Sequence, residues 1–197
     1  MKSLSKGLMS EFLKIPNLLS LFRLALSIVI PVLWFVKASN KIIFSLIFFG
    51  ALSDTLDGNL ARILKQKSEL GKILDPLADK CFINMLFFLF FLEGKIEPSF
   101  FGIILARDIG ILLGVGYLFK RGIQVKNLNP SLLGKISTVF QLLCLLTLFI
   151  SNYIKPLPQG IIKSVITLTL FFTVASGFHY FLMFRKVNAL NKGALRS

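Results

Sequence analysis

Three kinds of residue are scarce in this sequence of 197 residues: cysteine, histidine and the acidic residues. Two cysteines, Cys81 and Cys144, are too few for a secreted disulfide scaffold, and a single histidine excludes a His-rich metal site. Both cysteines lie inside apolar blocks, so we expect buried free thiols. The nine Asp and Glu residues are outnumbered by 23 Lys and Arg residues, which gives a formal net charge of +14.

Apolar residues, by contrast, make up 55% of the chain, and its mean hydropathy is +0.77. Soluble domains are about 45–50% apolar and interleave apolar with polar residues, whereas the apolar residues here form long blocks. This composition excludes a disordered chain and a typical soluble enzyme. In a membrane protein the excess positive charge is explained by basic loops that meet anionic lipid. We therefore expect a lipid bilayer, and no nucleic acid, as a partner.

The apolar blocks predict an all-α integral membrane protein with six transmembrane helices, since about 20 mostly apolar residues cross a bilayer. The predicted spans cover residues 17–36, 42–63, 72–92, 98–119, 132–151 and 160–184. The second span is unusual, because its apolar part, residues 42–53, is too short to cross alone and leads directly into Asp54 and Asp57. We interpret it as one helix that continues and carries carboxylates near the membrane surface.

The distribution of Lys and Arg predicts the orientation of these spans. Fifteen of them lie in the termini and loops on one side, five lie on the other side, and three lie inside spans. The positive-inside rule then places both termini and the aspartates on the cytoplasmic side of the inner membrane, or of a mitochondrial or plastid inner membrane in a eukaryote. Residues 1–14 mix lysines with apolar residues and predict a short juxtamembrane interfacial helix. With no internal repeat or linker, we predict a single domain over residues 1–197.

Four aspartates follow the spacing D-x2-D-G-x2-A-R-x8-G-x3-D-x3-D over residues 54–79. A turn near residues 65–69 would make the two helices antiparallel neighbours, so that the four carboxylates converge at the cytoplasmic surface. We expect a polar active-site cavity there. The pattern occupies one face of each helix. On the first helix this face contains Asp54, Asp57, Gly58 and Ala61, with Arg62 at its edge. On the second helix it contains Gly71, Asp75 and Asp79.

These residue types point to chemistry on a phosphate ester or anhydride. Four carboxylates in a partly dehydrated site repel one another, and hard divalent cations offset that charge best. Small residues let a ligand approach the backbone, and the planar fork of Arg62 suits a phosphate. Two metal ions would polarise the phosphoryl group, and a spare carboxylate could accept a proton from an attacking hydroxyl.

All eight fixed positions of the pattern resemble the signature of the CDP-alcohol phosphatidyltransferase family. The resemblance implies a CDP-linked lipid as donor, CMP as leaving group, two Mg²⁺ or Mn²⁺ ions as cofactors and a homodimer. It implies that Asp79 is the catalytic base for the acceptor hydroxyl and also lies at the metal ions. The other roles it implies are metal binding by Asp54, Asp57, Asp75 and Asp79, and donor binding by Asp54, Gly58, Ala61, Arg62 and Gly71.

Further resemblances indicate only in part which alcohol is the acceptor. Residues 15–23, IPNLLSLFR, and residues 74–80, LDPLADK, resemble the branches of the family that make phosphatidylglycerophosphate and cardiolipin. The absence of a Leu-Arg-Glu-like continuation after Arg107 favours cardiolipin synthase, whereas the short chain favours the other branch. We predict transfer from CDP-diacylglycerol to glycerol-3-phosphate, with phosphatidylglycerol as the alternative acceptor.

A charged acceptor head group needs basic residues, and the candidates are Arg23, Arg107 and Lys135. Alternatively, Arg23 and Lys135 reach lipid phosphates at the membrane surface. Arg107 could instead pair with a carboxylate such as Asp108 of a neighbour, and Lys80 could neutralise Asp75 or Asp79.

Two other function classes remain open: an ion-coupled transporter, which predicts acids spread through the membrane depth, and a structural membrane protein without catalysis.

Overall fold

The computed structural model describes residues 14–63, 71–120 and 131–194, with side chains except at positions 16, 54–63, 72–73, 119–120 and 188–194. The described residues form six α-helices and no β-strand, so the predicted all-α class is confirmed. Residues 1–13 of the predicted interfacial segment and the predicted turn at 65–69 lie outside the description. The helices are α1 (Ile15–Phe35), α2 (Asn40–Ile63), α3 (Gly71–Leu92), α4 (Pro98–Lys120), α5 (Leu132–Tyr153) and α6 (Gln159–Ala194).

Local sequence signals explain where several helices begin and end. A proline occupies the first turn of α1, where its missing N–H costs no helical hydrogen bond. The Ser131 hydroxyl caps α5 by accepting a hydrogen bond from the Gly134 amide at 3.0 Å. Beyond the end of α3, Gly94 adopts a φ of 67°, a conformation that glycine reaches without a steric penalty. The chain can therefore leave α3 sharply before α4 begins.

Within the part of the chain that the structure describes, four helical segments are long and apolar enough to cross a membrane. They agree with four of the predicted spans: Asn17–Phe35, Pro98–Leu118, Leu132–Tyr153 and Gln159–Val187. In α2 the apolar part, Asn40–Ser53, is shorter, yet the helix continues without interruption to Ile63, as predicted for the segment that carries the aspartates. Large apolar side chains such as Ile28 and Leu113 are exposed on these helices, as expected of a surface that faces lipid.

The first of two compact units extends to Leu89 and contains α1, α2 and most of α3. Helix α1 packs on α2, and both meet α3 at Gly50. A Cβ atom added at Gly50 would lie 2.5 Å from Cζ of Phe82 and 3.1 Å from Cδ1 of Leu26. The absence of a side chain at Gly50 therefore allows the three helices to approach closely. Ile30 and Ile83 are fully buried in the same unit.

The second unit begins at Phe90, and in it α4 and α5 both pack on α6. Its apolar core includes Ile104, Leu145 and Leu148, and the partly buried rings of Phe140 and Phe172 stack with centroids 4.6 Å apart. The unit also buries many polar side chains for a membrane-type bundle. These are Arg107 and Asp108 on α4, Ser137 and Gln141 on α5, and Thr169, Thr173 and Ser176 on α6.

The prediction for the two cysteines is half right. Both are free thiols, and Cys144 is buried in α5 as expected. Cys81 is exposed, so the prediction of burial is wrong for this residue. The buried face of α3 runs through Ala78 and Phe82, four residues apart, and Cys81 lies off that face.

Candidate functional site

The aspartate pattern lies on two consecutive helices of the first unit. Asp54 and Asp57 belong to the last turns of α2, and the helical backbone confirms their three-residue spacing on one continuous helix. The predicted common face with Arg62 concerns side chains that lie outside the description, and so it remains a prediction.

The second half of the pattern is described in full on α3. Gly71 begins the helix and is buried, and Asp75 and Asp79 follow at intervals of four residues. Both carboxylates are partly buried, as the sequence predicts for groups near a membrane surface. Because residues four apart are neighbours on a helix, the two carboxylates lie on the same side of α3.

Helix α1 contributes two polar side chains that the sequence analysis did not assign to the site, Asn17 and Ser20, beside the predicted acceptor residue Arg23. Asn17, Ser20 and Arg23 are spaced three residues apart and are almost completely buried within an otherwise apolar span. The Ser20 hydroxyl donates a hydrogen bond to Oδ1 of Asp75 over 2.5 Å. The signal for this polar face was present in the sequence, because three polar residues at helical spacing interrupt an apolar block.

Two cations flank the Asp79 carboxylate. Nη1 of Arg23 lies 3.9 Å from Oδ1, and Nζ of Lys80 lies 3.9 Å from Oδ2. Arg23 is only 1% exposed, so the alternative in which it reaches lipid phosphates at the surface is wrong. The alternative for Lys80 is confirmed, with Asp79 as its partner. Asp79 is thus held between two positive charges that reduce its repulsion from Asp75.

The other two acceptor candidates belong to the second unit. Arg107 is buried, and it donates to Oδ1 of Asp108 at 2.6 Å and to the Ser176 hydroxyl at 2.7 Å. Its guanidinium also lies over the Tyr180 ring, 5.9 Å from the centroid. The alternative of a carboxylate partner is therefore confirmed, although the partner is the adjacent residue of the same helix. Lys135 is exposed in the first turns of α5.

The donor chemistry of the described site fits a hard divalent cation. Asp75 and Asp79 supply carboxylate oxygens, the ligands that Mg²⁺ and Mn²⁺ prefer. Among residues whose side chains are described, no cluster of three or more His, Cys, Asp or Glu side chains is arranged around a metal position. The remaining predicted ligands, Asp54 and Asp57, lie in the part of α2 without described side chains. The described pair is thus half of the predicted ligand set.

Comparison with known proteins gives a consistent result. A family model for CDP-alcohol phosphatidyltransferase matches residues 13–175, which include both halves of the aspartate pattern. A protein from Aquifex aeolicus named CDP-diacylglycerol–glycerol-3-phosphate 3-phosphatidyltransferase is 43% identical over 143 residues, which cover 71% of this chain and 78% of that protein.

Relatives named for a different product also match. The rat cardiolipin synthase (CMP-forming) is 28% identical over 196 residues, covering 91% of this chain and 64% of that protein. A putative cardiolipin synthase from Mycobacterium tuberculosis is 34% identical over 132 residues, covering 66% of this chain and 61% of that protein. The chain thus spans just under two thirds of the length of these two relatives.

Proposed function

Because the chain belongs to the CDP-alcohol phosphatidyltransferase family, we propose that it transfers a phosphatidyl group from CDP-diacylglycerol to a hydroxyl of glycerol-3-phosphate and releases CMP. The observation that carries this choice of acceptor is the 43% identity over 143 residues with the Aquifex aeolicus protein. The placement of Asp79 beside Arg23 and Lys80 supports a catalytic role for this carboxylate in the same unit as the rest of the pattern.

The donor and the cofactors are assigned to the aspartate pattern. In the proposal the CDP group lies against the last turns of α2 and the start of α3, where Asp54, Gly58, Ala61, Arg62 and Gly71 hold it. Asp54, Asp57, Asp75 and Asp79 would hold two Mg²⁺ or Mn²⁺ ions. When bound, these ions supply polarisation of the phosphoryl group and compensate the charge that develops on the leaving oxygen.

The residues of the chain carry the remaining steps. Asp79 accepts the proton of the acceptor hydroxyl as that oxygen attacks the β-phosphorus, the one that bears the diacylglycerol. A new phosphorus–oxygen bond forms, the bond from the β-phosphorus to the bridging oxygen breaks, and CMP leaves with the electron pair. Arg62 holds the donor phosphates in place through its two-pronged hydrogen bonding. The two cations beside Asp79 keep its carboxylate oriented.

The proposed acceptor residues differ in the support that the structure lends them. Arg23 has the most, because its guanidinium lies beside the proposed base and could bind the head group of an acceptor that reaches Asp79. Lys135 is exposed in the first turns of α5, where its side chain is accessible to an acceptor head group. Arg107 has the least, because Asp108 and Ser176 already engage two of its nitrogens.

Phosphatidylglycerol is the second candidate acceptor, and the 91% coverage of this chain by the rat cardiolipin synthase alignment favours it. The test uses purified protein in detergent with Mg²⁺, CDP-dioleoylglycerol and one acceptor at a time. CMP release with glycerol-3-phosphate alone would support the proposal. Release with phosphatidylglycerol alone would replace it with cardiolipin synthesis.

We also propose that all six helices cross the inner membrane, with both termini and the active site on the cytoplasmic side, and that the protein is a homodimer. The four long apolar helices support the membrane part of this proposal. A transporter is less consistent with the structure, because Asp108, an acid near the middle of α4, is neutralised by Arg107. Loss of CMP release in the Asp79→Asn variant would argue against a structural protein without catalysis.

A further inference from the structure

Ser20 connects two helices at the proposed metal site. It is fully buried on the polar face of α1, and its hydroxyl reaches Oδ1 of Asp75 on α3, 55 positions later in the chain. Two other buried serines of the first unit behave differently: the Ser27 hydroxyl donates to the Leu24 carbonyl, and the Ser53 hydroxyl donates to the Gly50 carbonyl. A serine hydroxyl in an apolar helix commonly donates to a backbone carbonyl of the preceding turn in this way. The contact between Ser20 and Asp75 is thus a specific connection between helices.

The contact affects how the Asp75 carboxylate can bind a cation. Hydrogen bonds to an ionised acceptor are short and roughly twice as strong as those between neutral groups. An Oδ1 atom that accepts such a bond shares its electron density with the donor, and the carboxylate can no longer rotate freely. Chelation of one cation by both oxygens of Asp75 is therefore disfavoured, while binding through a single oxygen is not.

This distinction separates the divalent cations by their preferred geometry. Mg²⁺ requires near-ideal octahedral coordination by single oxygens at short distance, whereas Ca²⁺ accepts carboxylates that bind through both oxygens in flexible geometry. We propose that Ser20 is a positioning residue that makes the aspartate site select Mg²⁺ over Ca²⁺. This inference rests on the proposed function, because only that function makes Asp75 a metal ligand.

The surroundings of Ser20 make α1 suitable for this role. Arg23 lies three residues further along the same face and is placed against Asp79, so one rigid helix contacts both described carboxylates of the site. Leu26 and Ile30 continue that face into the core of the unit and hold α1 in register. Residues outside the ligand set that orient ligands commonly change metal affinity when they are removed.

The test measures metal binding directly and does not depend on turnover. Full-length protein in detergent is titrated with Mn²⁺, a spectroscopic substitute for Mg²⁺, and free Mn²⁺ is followed by electron paramagnetic resonance. Mg²⁺ and Ca²⁺ are then used as competitors. Ser20→Ala is expected to weaken Mn²⁺ binding roughly 10–100-fold and to shift the ratio of the Mg²⁺ and Ca²⁺ competition constants toward Ca²⁺. Ser20→Thr keeps the hydroxyl and is expected to restore both values.

Ser27→Ala is the matched control, because it removes from the same helix a buried hydroxyl that donates to the Leu24 backbone carbonyl. It should bind metals as the wild type does. Equal Mn²⁺ affinity and equal Mg²⁺/Ca²⁺ ratios in the Ser20 and Ser27 variants would overturn the inference. If Ser20→Ala does not fold, Ser20→Cys replaces it, since a thiol is a weak donor of similar size. Failure of the proposed function can be distinguished from failure of this inference, since in the first case the wild type would bind no Mn²⁺ and release no CMP.

Discussion

Arg107 and Asp108 are adjacent in sequence and form a buried ion pair, with Nη1 2.6 Å from Oδ1. Consecutive residues on a helix point about 100° apart, so the long arginine side chain must curve back along α4 to reach its neighbour. A second hydrogen bond from Arg107 to Ser176 ties α4 to α6. The two helices are in close contact at Gly177, where an added Cβ would lie 3.4 Å from Cγ of Arg107. The pair therefore combines internal charge neutralisation with helix packing.

Removal of one member of this pair should cost more than removal of both. Arg107→Met leaves the Asp108 carboxylate buried without its cation, which typically costs about 3–5 kcal/mol. The double variant Arg107→Met/Asp108→Leu removes the uncompensated charge and should regain most of that loss. Thermal unfolding in detergent measures both effects. A double variant no more stable than Arg107→Met would show that the pair is not an energetic unit.

The same variants test whether Arg107 binds the acceptor. A double variant with near wild-type stability but a strongly raised KM for glycerol-3-phosphate would support acceptor binding by Arg107. Wild-type kinetics in the stable double variant would remove Arg107 from the set of acceptor residues and leave Arg23 and Lys135.

Asp79→Asn should abolish most catalysis without unfolding the protein. The amide is nearly the same size but cannot accept the proton of the acceptor hydroxyl, and general-base catalysis typically contributes about 10²–10⁴-fold. CMP release measures the loss. Glu97→Gln, a matching change at an exposed acid before α4, should leave the rate unchanged. Substantial activity in Asp79→Asn would assign the base to another residue.

Gly50→Ala should destabilise the first unit, because the added Cβ meets the Phe82 ring at 2.5 and 2.8 Å. Overpacking of this kind costs about 1–3 kcal/mol. Gly102→Ala is the control, since a Cβ there has no neighbour within 4 Å. The double variant Gly50→Ala/Phe82→Leu replaces the obstructing ring with a smaller side chain and should recover part of the lost stability. Equal melting temperatures for the Gly50 and Gly102 variants would show that the close helix approach is not required.

The predicted orientation can be tested at Lys155, which precedes α6, and at Lys186, near the end of its apolar segment. Its apolar segment, Gln159–Val187, is long enough to cross a bilayer, so Lys155 and Lys186 should lie on opposite sides. In a background without Cys81 and Cys144, we expect Lys155→Cys to react with an impermeant maleimide on intact cells. Lys186→Cys should react only in inverted vesicles. The reverse pattern would contradict a cytoplasmic C-terminus.

The helices were predictable because their signal is local. Each helix contains a block of apolar residues, although the block in α2 is too short to span a bilayer alone, and the predicted ends agree with the structure within two residues except at α6. That helix extends to Ala194, beyond the predicted end at residue 184, because helix formation continues after the apolar block. Hydropathy reports where a span leaves the membrane and does not report where the backbone stops being helical.

The partners of the site residues were less predictable, because they depend on which helix faces meet. Helical spacing placed Asp75 and Asp79 on one side of α3, and the structure agrees. The contribution of Ser20 requires knowing that the polar face of α1 packs toward α3. The sequence analysis named Asp108 as a partner for Arg107 but assigned it to a neighbour, since adjacent residues on a helix are poor candidates for a pair.

The most direct test of the central claim follows a labelled β-phosphate from CDP-diacylglycerol in the presence of glycerol-3-phosphate. The account predicts that the label appears in phosphatidylglycerophosphate with one unlabelled CMP released per product, and that Asp79→Asn forms neither. Label that remains in the donor, under conditions in which CDP-diacylglycerol binds, would contradict transfer to glycerol-3-phosphate by this protein.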